Sequence, residues 1–221
     1  MVQFVQGPLI GVAFVVFVLG LLLQGIEFFR LTREKQWGHP SLPPEQEKKE
    51  ETLGRLVGYC LASLRGTLWE TDPVMTVMTS VFHICLIGTP LFLLGHTMLL
   101  HQAAGLSLWS LPEWMTDGLT LVTLICALFF LGRRLFLARA RILTTAYDYL
   151  IWLIAVAPFL TGYLAYHQWF DYPTMMTLHI LSGEAMLIVL PFTKLGHMLF
   201  FFLYRFFIGS EYSFARGSRV W

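Results

Sequence analysis

Four histidines stand in stretches of the chain that are otherwise oily: His83 and His96 within residues 74–100, and His179 and His197 within residues 175–204. A polar side chain in hydrocarbon is costly, so an imidazole there is a candidate functional group by default. Neutral imidazole is a standard axial ligand of haem iron, so two facing histidines hold one haem and four hold two. A lone histidine on an apolar face more often packs or hydrogen-bonds to a neighbouring helix. Two on each of two segments, matched in depth, favour ligation. No carboxylate or cysteine flanks the pairs at ligand spacing, which disfavours a metal site without haem. Glu184, the nearest acid, reads as an interhelical hydrogen-bonding residue.

The spacing carries the pairing. His179 and His197 are separated by about five turns of an ideal helix, so they are expected on one face about 27 Å apart. Gly183, at helical distance from His179, would let a flat ligand approach the backbone. His83 and His96 would lie about 140° apart on an unbroken helix. The expectation is that Pro90, in HICLIGTPLFLLGH, breaks the ladder and resets the phase between them. Counted from the outer ends of their antiparallel segments, His96 matches His179 in depth to within a turn. His83 then pairs with His197, with a mismatch of roughly 7 Å. His101, in phase with His83 and beside Gln102 at the membrane edge, is the rival to His96.

The elements that must position these rings follow from composition. Of 221 residues, 56% are hydrophobic and only 13% charged, outside the balance of a soluble domain. A spanning helix needs roughly 20 apolar residues, and five stretches qualify: about 7–29, 74–100, 116–132, 145–166 and 175–204. The predicted fold is an all-α integral membrane bundle of five transmembrane helices. It forms a single membrane domain over residues 1–221, with a cytoplasmic loop at about 31–73.

Lysine and arginine near spans mark the cytoplasmic side. Of the fifteen, seven lie in or beside the first loop, and Arg133, Arg134, Arg139 and Arg141 lie in the third. Lys194, Arg205, Arg216 and Arg219 follow the last span. The N-terminus and the loops at 101–115 and 167–174 have none. The N-terminus is therefore expected outside and the C-terminus in the cytoplasm. The net charge of +1 conceals this asymmetry, and no nucleic-acid-binding module is evident. The first span lacks signal-peptide features and reads as a retained anchor. Cys60, Cys85 and Cys126 are isolated, which leaves no motif for iron–sulfur ligation or covalent haem attachment. Trp109, Trp114 and Trp169 suit an outer aromatic belt, and the outer loops are too short for an enzyme domain. In the first loop Leu53, Leu56, Val57, Cys60, Leu61, Leu64 and Leu68 recur at helical spacing, as in an interfacial or partner-docking helix.

PFTKLGH at 191–197, with His179 eighteen residues above its histidine, resembles the fifth span of the gamma subunit of respiratory nitrate reductase, a five-span cytochrome b holding two haems. FHICLIG at 82–88, GH at 95–96 and RRLFLARARILTTAYDYLI at 133–151 share the resemblance, which runs through spans two to five. It implies that His83 and His197 hold the haem nearer the cytoplasm, and His96 and His179 the haem nearer the outside. The spacing of the span-two histidines is longer here, the first cytoplasmic loop is extended, and PEWMTDGLT lacks the family's quinol-associated lysine. With LFLLGHTMLL and the tail GSEYSFARGSRVW, these features look more like the cytochrome b subunits of Hmc/Tmc-type transmembrane redox complexes of sulfate-reducing bacteria.

That resemblance implies a subunit of the bacterial inner (cytoplasmic) membrane that carries electrons in sulfate respiration. Its expected cofactors are two haem b, with menaquinone as a further candidate. Its expected partners are a periplasmic multihaem cytochrome c, a cytoplasmic iron–sulfur subunit related to heterodisulfide reductase, other membrane subunits and the lipid bilayer. Arg133, Arg134, Arg139 and Arg141 would balance haem propionates or serve as topology signals. His101 and His167, at the outer rim, are candidates for binding a quinone or relaying its protons. The alternatives are a quinol-oxidising anchor of a nitrate-reductase-type enzyme, a proton or metal transporter, and a structural anchor for peripheral subunits.

Overall fold

The computed structural model describes residues 5–34, 72–197, 200 and 201. The amphipathic stretch at 53–68 and the tail at 205–221 lie outside the described residues. The chain divides into two compact units, Met1–Phe14 with Asp72–Leu187, and Val15–Thr71 with Ile188–Trp221. Among the described residues every regular element is helical. Five helices are long and apolar enough to cross a membrane: Gly7–Arg30, Pro73–Phe92, Glu113–Phe136, Ala146–Tyr166 and Tyr172–Phe192. This is the pattern of a multi-pass membrane protein.

After a π-helical turn at Val5–Leu9, α1 runs over Ile10–Glu34. In the first unit, α2 (Pro73–Phe92) begins where Asp72 accepts the Met75 N–H and Pro73 takes the first turn, where its missing N–H costs nothing. The helix stops at Leu93, whose backbone is extended (φ −69°, ψ 128°), and resumes as α3 (Leu94–Ala104). Gly105 ends α3 in the left-handed conformation, at φ 67°. The interruption three residues past Pro90 is where the sequence asked for a reset of phase.

α4 (Glu113–Phe136) carries the small buried side chains Thr116, Thr123, Cys126 and Ala127. The hydroxyls of Thr116 and Thr123 return to backbone carbonyls of their own helix, so each is satisfied without water. Such small residues let helices approach closely where lipid supplies no hydrophobic drive. Large apolar side chains point the other way, as at Ile84, Leu128, Leu150 and Leu153, all exposed. α5 (Ala138–Ile142) is a single turn that leads to α6 (Ala146–Tyr166). Asp148 accepts both the N–H and the hydroxyl of Thr145, closing a capping box on α6. Trp152 Nε1–H donates to the Ala127 carbonyl at 3.0 Å and ties α6 to α4. α7 (Tyr172–Val189) starts at Asp171, which accepts from Thr174.

The last span corrects one expectation. The α-helical ladder ends at Val189 and gives way to two 3-10 turns, Leu190–Phe192 and Lys194–Gly196, with Thr193 extended between them. Pro191 has no N–H to continue the ladder. His179 and His197 therefore do not share one straight helix, and the 27 Å arithmetic does not apply. Within the second unit the turn at Pro191 packs on Gly20 of α1, where a Cβ would come within 2.6 Å of the proline ring.

Candidate functional site

His96, on α3, and His179, on α7, come together. Their ring centroids are 5.8 Å apart and their planes 12° from parallel. Because α2 ends at Leu93, its last carbonyls lack helical partners, and Pro90 O accepts from His96 Nδ1–H at 3.0 Å. Pro158, inside α6, presents its carbonyl to His179 Nδ1–H at 2.8 Å. A carbonyl can only accept, so in the neutral ring the hydrogen sits on Nδ1 and the lone pair remains on Nε2. Such anchoring of one ring nitrogen by a backbone acceptor is the usual support of a metal-binding imidazole.

Sequence reasoning chose Gly183 as the glycine beside His179. A Cβ there would meet nothing within 4 Å, whereas at Gly162 it would stand 2.9 Å from His179 Cε1 and 3.0 Å from Nδ1. Gly162 lets the imidazole lie against α6, and its spacing from any histidine in the chain carried no signal. Thr161 and Ser182 hydroxyls meet at 3.3 Å beside this contact.

Glu184 is buried, and neither carboxyl oxygen has a hydrogen-bond partner among the described residues. The interhelical hydrogen bond expected of it is not present there. The buried Thr89 hydroxyl is likewise unsatisfied. Buried polar atoms are nearly always paired, so each of these two, one on α2 and one on α7, stands out among the described residues.

The other histidines are placed separately. His83, on α2, donates from Nδ1 to Thr79 O at 2.8 Å and stands edge-on to Phe82, with centroids 5.4 Å apart. His197 follows the last 3-10 turn in the second unit, with Nδ1 on the Lys194 carbonyl. His101, exposed near the end of α3, meets Ser107 Oγ at 3.1 Å. The ring that reaches His179 is thus that of His96, and His101 points to a separate surface contact. His167 pairs with Asp117 of α4 at 2.9 Å, among the rings of Tyr163, Tyr166 and Trp169. That acid was not paired with it from sequence, because the contact joins two helices fifty residues apart.

At the opposite end of these helices Arg133 donates to Asp72 at 3.0 Å, and Arg134 lies 3.8 Å from Asp148. The Met75 N–H, followed by the Arg133 guanidinium, holds the Asp72 carboxyl below its usual range. Among the described residues no three His, Cys, Asp or Glu side chains converge as a metal-binding group. Of the histidine rings described above, those of His96 and His179 are the pair that stands together.

A helical multi-pass membrane protein, with five described helices long and apolar enough to span and a pair of carbonyl-anchored histidines, is the class these features define. No protein-family model matches the chain, and no solved structure is significantly similar. A protein of Nitratidesulfovibrio vulgaris (strain Hildenborough), described simply as "Protein", is 37% identical over 223 residues, covering 99% of this chain and 96% of that one. The chain belongs to the family of that protein.

Proposed function

We propose that this chain is a di-haem b membrane subunit of a respiratory redox complex. It carries electrons across the inner membrane between a periplasmic cytochrome c or the menaquinone pool and a cytoplasmic iron–sulfur subunit. The observation that carries the reading is the His96–His179 pair. Two rings whose Nε2 atoms would share one metal ion stand no more than about 6 Å apart centre to centre, the sum of two metal–nitrogen bonds of about 2.0 Å and two ring radii of about 1 Å. The observed 5.8 Å separation and near-parallel rings suit that arrangement.

In this reading His96 and His179 hold the first haem, and His83 and His197 the second. Bound haem iron supplies reversible one-electron chemistry. The protein's part is to fix each ring: the carbonyls of Pro90 and Pro158 set tautomer and direction, and Gly162 clears the space for His179. The arginines of the third loop orient the chain with its N-terminus outside and C-terminus in the cytoplasm.

The reduced-minus-oxidised visible spectrum of membranes containing the full chain tests this, with haem extraction to count the pigment. The expected result is b-type absorbance at two haems per chain. A colourless purified protein would overturn the reading and favour the transporter or anchor alternatives.

A further inference from the structure

The basic end of α2, α4 and α6, together with α5, encloses an open cleft of about 280 Å³. Its lining combines polar Arg133, Arg134, Thr144 and Asp148 with apolar Met75, Phe130 and Leu143. The charges do not cancel. Four arginines, Arg133, Arg134, Arg139 and Arg141, stand at this end, and ion pairs join Arg133 to Asp72 and Arg134 to Asp148. Asp72 is engaged by Arg133. Asp148 already accepts twice from Thr145 on one oxygen, and its other oxygen stays 3.8 Å from Arg134, beyond hydrogen-bond range. The guanidinium of Arg134 thus makes no hydrogen bond among the described residues, although it lines a cleft. An arginine fork matches phosphate oxygens in shape and charge.

The surroundings indicate what carries the phosphate. Phe136, Ile142 and Leu143, which flank the arginines, are 88%, 82% and 82% exposed. Exposed apolar side chains beside charged groups suit the boundary between headgroups and acyl chains, which accommodates both. Met75 lies eight residues from His83, about 12 Å along α2, so the cleft sits at the ends of the helices and not at the level of that ring. Clefts for drug-sized ligands run to ~300–1,000 Å³, so this one suits a headgroup. Basic pockets between spanning helices are known binding places for acidic lipid headgroups.

We propose that this cleft binds the phosphate of an acidic glycerophospholipid, with Arg134 as the principal donor, Arg133 beside it, and the acyl chains running over Leu143, Ile142 and Phe136. The inference uses none of the four histidines of the haem reading, and it assigns Arg133 and Arg134 to a lipid phosphate in place of haem propionates.

The test uses the full chain in detergent micelles doped with phosphatidylglycerol, with phosphatidylcholine, or with neither plus inorganic phosphate. Bound lipid is counted by native mass spectrometry, and affinity is read from the shift in thermal midpoint. The wild type is expected to retain one phosphatidylglycerol per chain in preference to phosphatidylcholine. Arg134→Gln should weaken that binding at least about tenfold, as for loss of a charge-assisted donor. Arg134→Lys should recover part of it, and Arg139→Gln, outside the cleft lining, should change it little. Equal retention of both lipids, or unchanged binding in Arg134→Gln, overturns the proposal. A midpoint shift reproduced in full by inorganic phosphate overturns the lipid source. Loss of haem from Arg134→Gln with lipid retained reassigns the arginine to a propionate and overturns the proposal, whereas absence of haem from the wild type leaves the lipid measurement intact and bears only on the function above.

Discussion

The two ends of the unit built from α2 to α7 hold their polar side chains by different means. At one end His96 and His179 are anchored by backbone carbonyls at Pro90 and Pro158. At the other, Arg133 and Arg134 stand against Asp72 and Asp148. Carbonyls are uncharged acceptors, so they steer an imidazole in an apolar interior without adding a charge that hydrocarbon would penalise. Opposite charges are tolerable where water and headgroups reach, as at Arg133 and Asp72, whose side chains are 31% and 43% exposed. Ion pairs so exposed contribute little to stability. The first end thus fixes its rings through uncharged acceptors, and the second holds its arginines through opposite charge.

The strongest way to break this comparison is to remove a ring. In the proposed di-haem reading, His179→Ala or His96→Ala should abolish about half of the b-type absorbance, because these two rings would hold one of the two haems. His83→Ala should remove the other half and leave the first. Full pigment in all three variants would detach the histidines from haem altogether.

A smaller effect is expected from crowding. Gly162→Ala puts a methyl group against the His179 ring and should cost about 1–3 kcal/mol, as overpacking does. The measurement is the thermal midpoint together with the absorbance of the His96–His179 site. A neutral result in both would mean that the ring has room to move aside and that α6 does not set its position.

At the basic end the consequences are structural. Asp148→Ala removes the acceptor that closes the α6 capping box and should lower stability by about 1 kcal/mol, read as a shift in unfolding temperature with the spectrum unchanged. A spectral change of the size seen in His179→Ala would contradict the division of labour between the ends.

The smallest effect is a pH dependence. The Asp72 carboxyl is held below its usual range by the Met75 N–H and then by Arg133. A depressed carboxyl contributes its stability above the unfolded aspartate value, near about 3.9, and loses it as pH falls through the lower folded value. Thermal midpoints of the wild type should therefore be insensitive to this group at neutral pH and fall only in acid, and Asp72→Asn should lack that increment. An acid loss identical in both proteins would remove Asp72 from the account.

Much of this architecture was readable because hydrocarbon imposes a simple demand on length and apolarity. The stretch at 145–166 corresponds to Ala146–Tyr166, and that at 7–29 to Gly7–Arg30. The span read at 116–132 extends in the structure to Glu113–Phe136, since helices continue past the apolar core into their charged ends. The break between His83 and His96 was legible from Pro90. The end of the α-helix at Val189 was not, because the helical arithmetic ran through Pro191 as though its missing N–H had no effect.

By itself the sequence determined the number of spans, the even depth of His96 and His179, and the concentration of arginine at one end, because burial depth and charge placement follow from counting residues along a helix. Only the tertiary structure decided that Gly162 and not Gly183 makes room for His179, that Pro90 and Pro158 lend their carbonyls to the two rings, and that His167 meets Asp117. These are contacts between helices, fixed by their rotation and close approach, and no periodicity within a single segment encodes how its neighbour will turn.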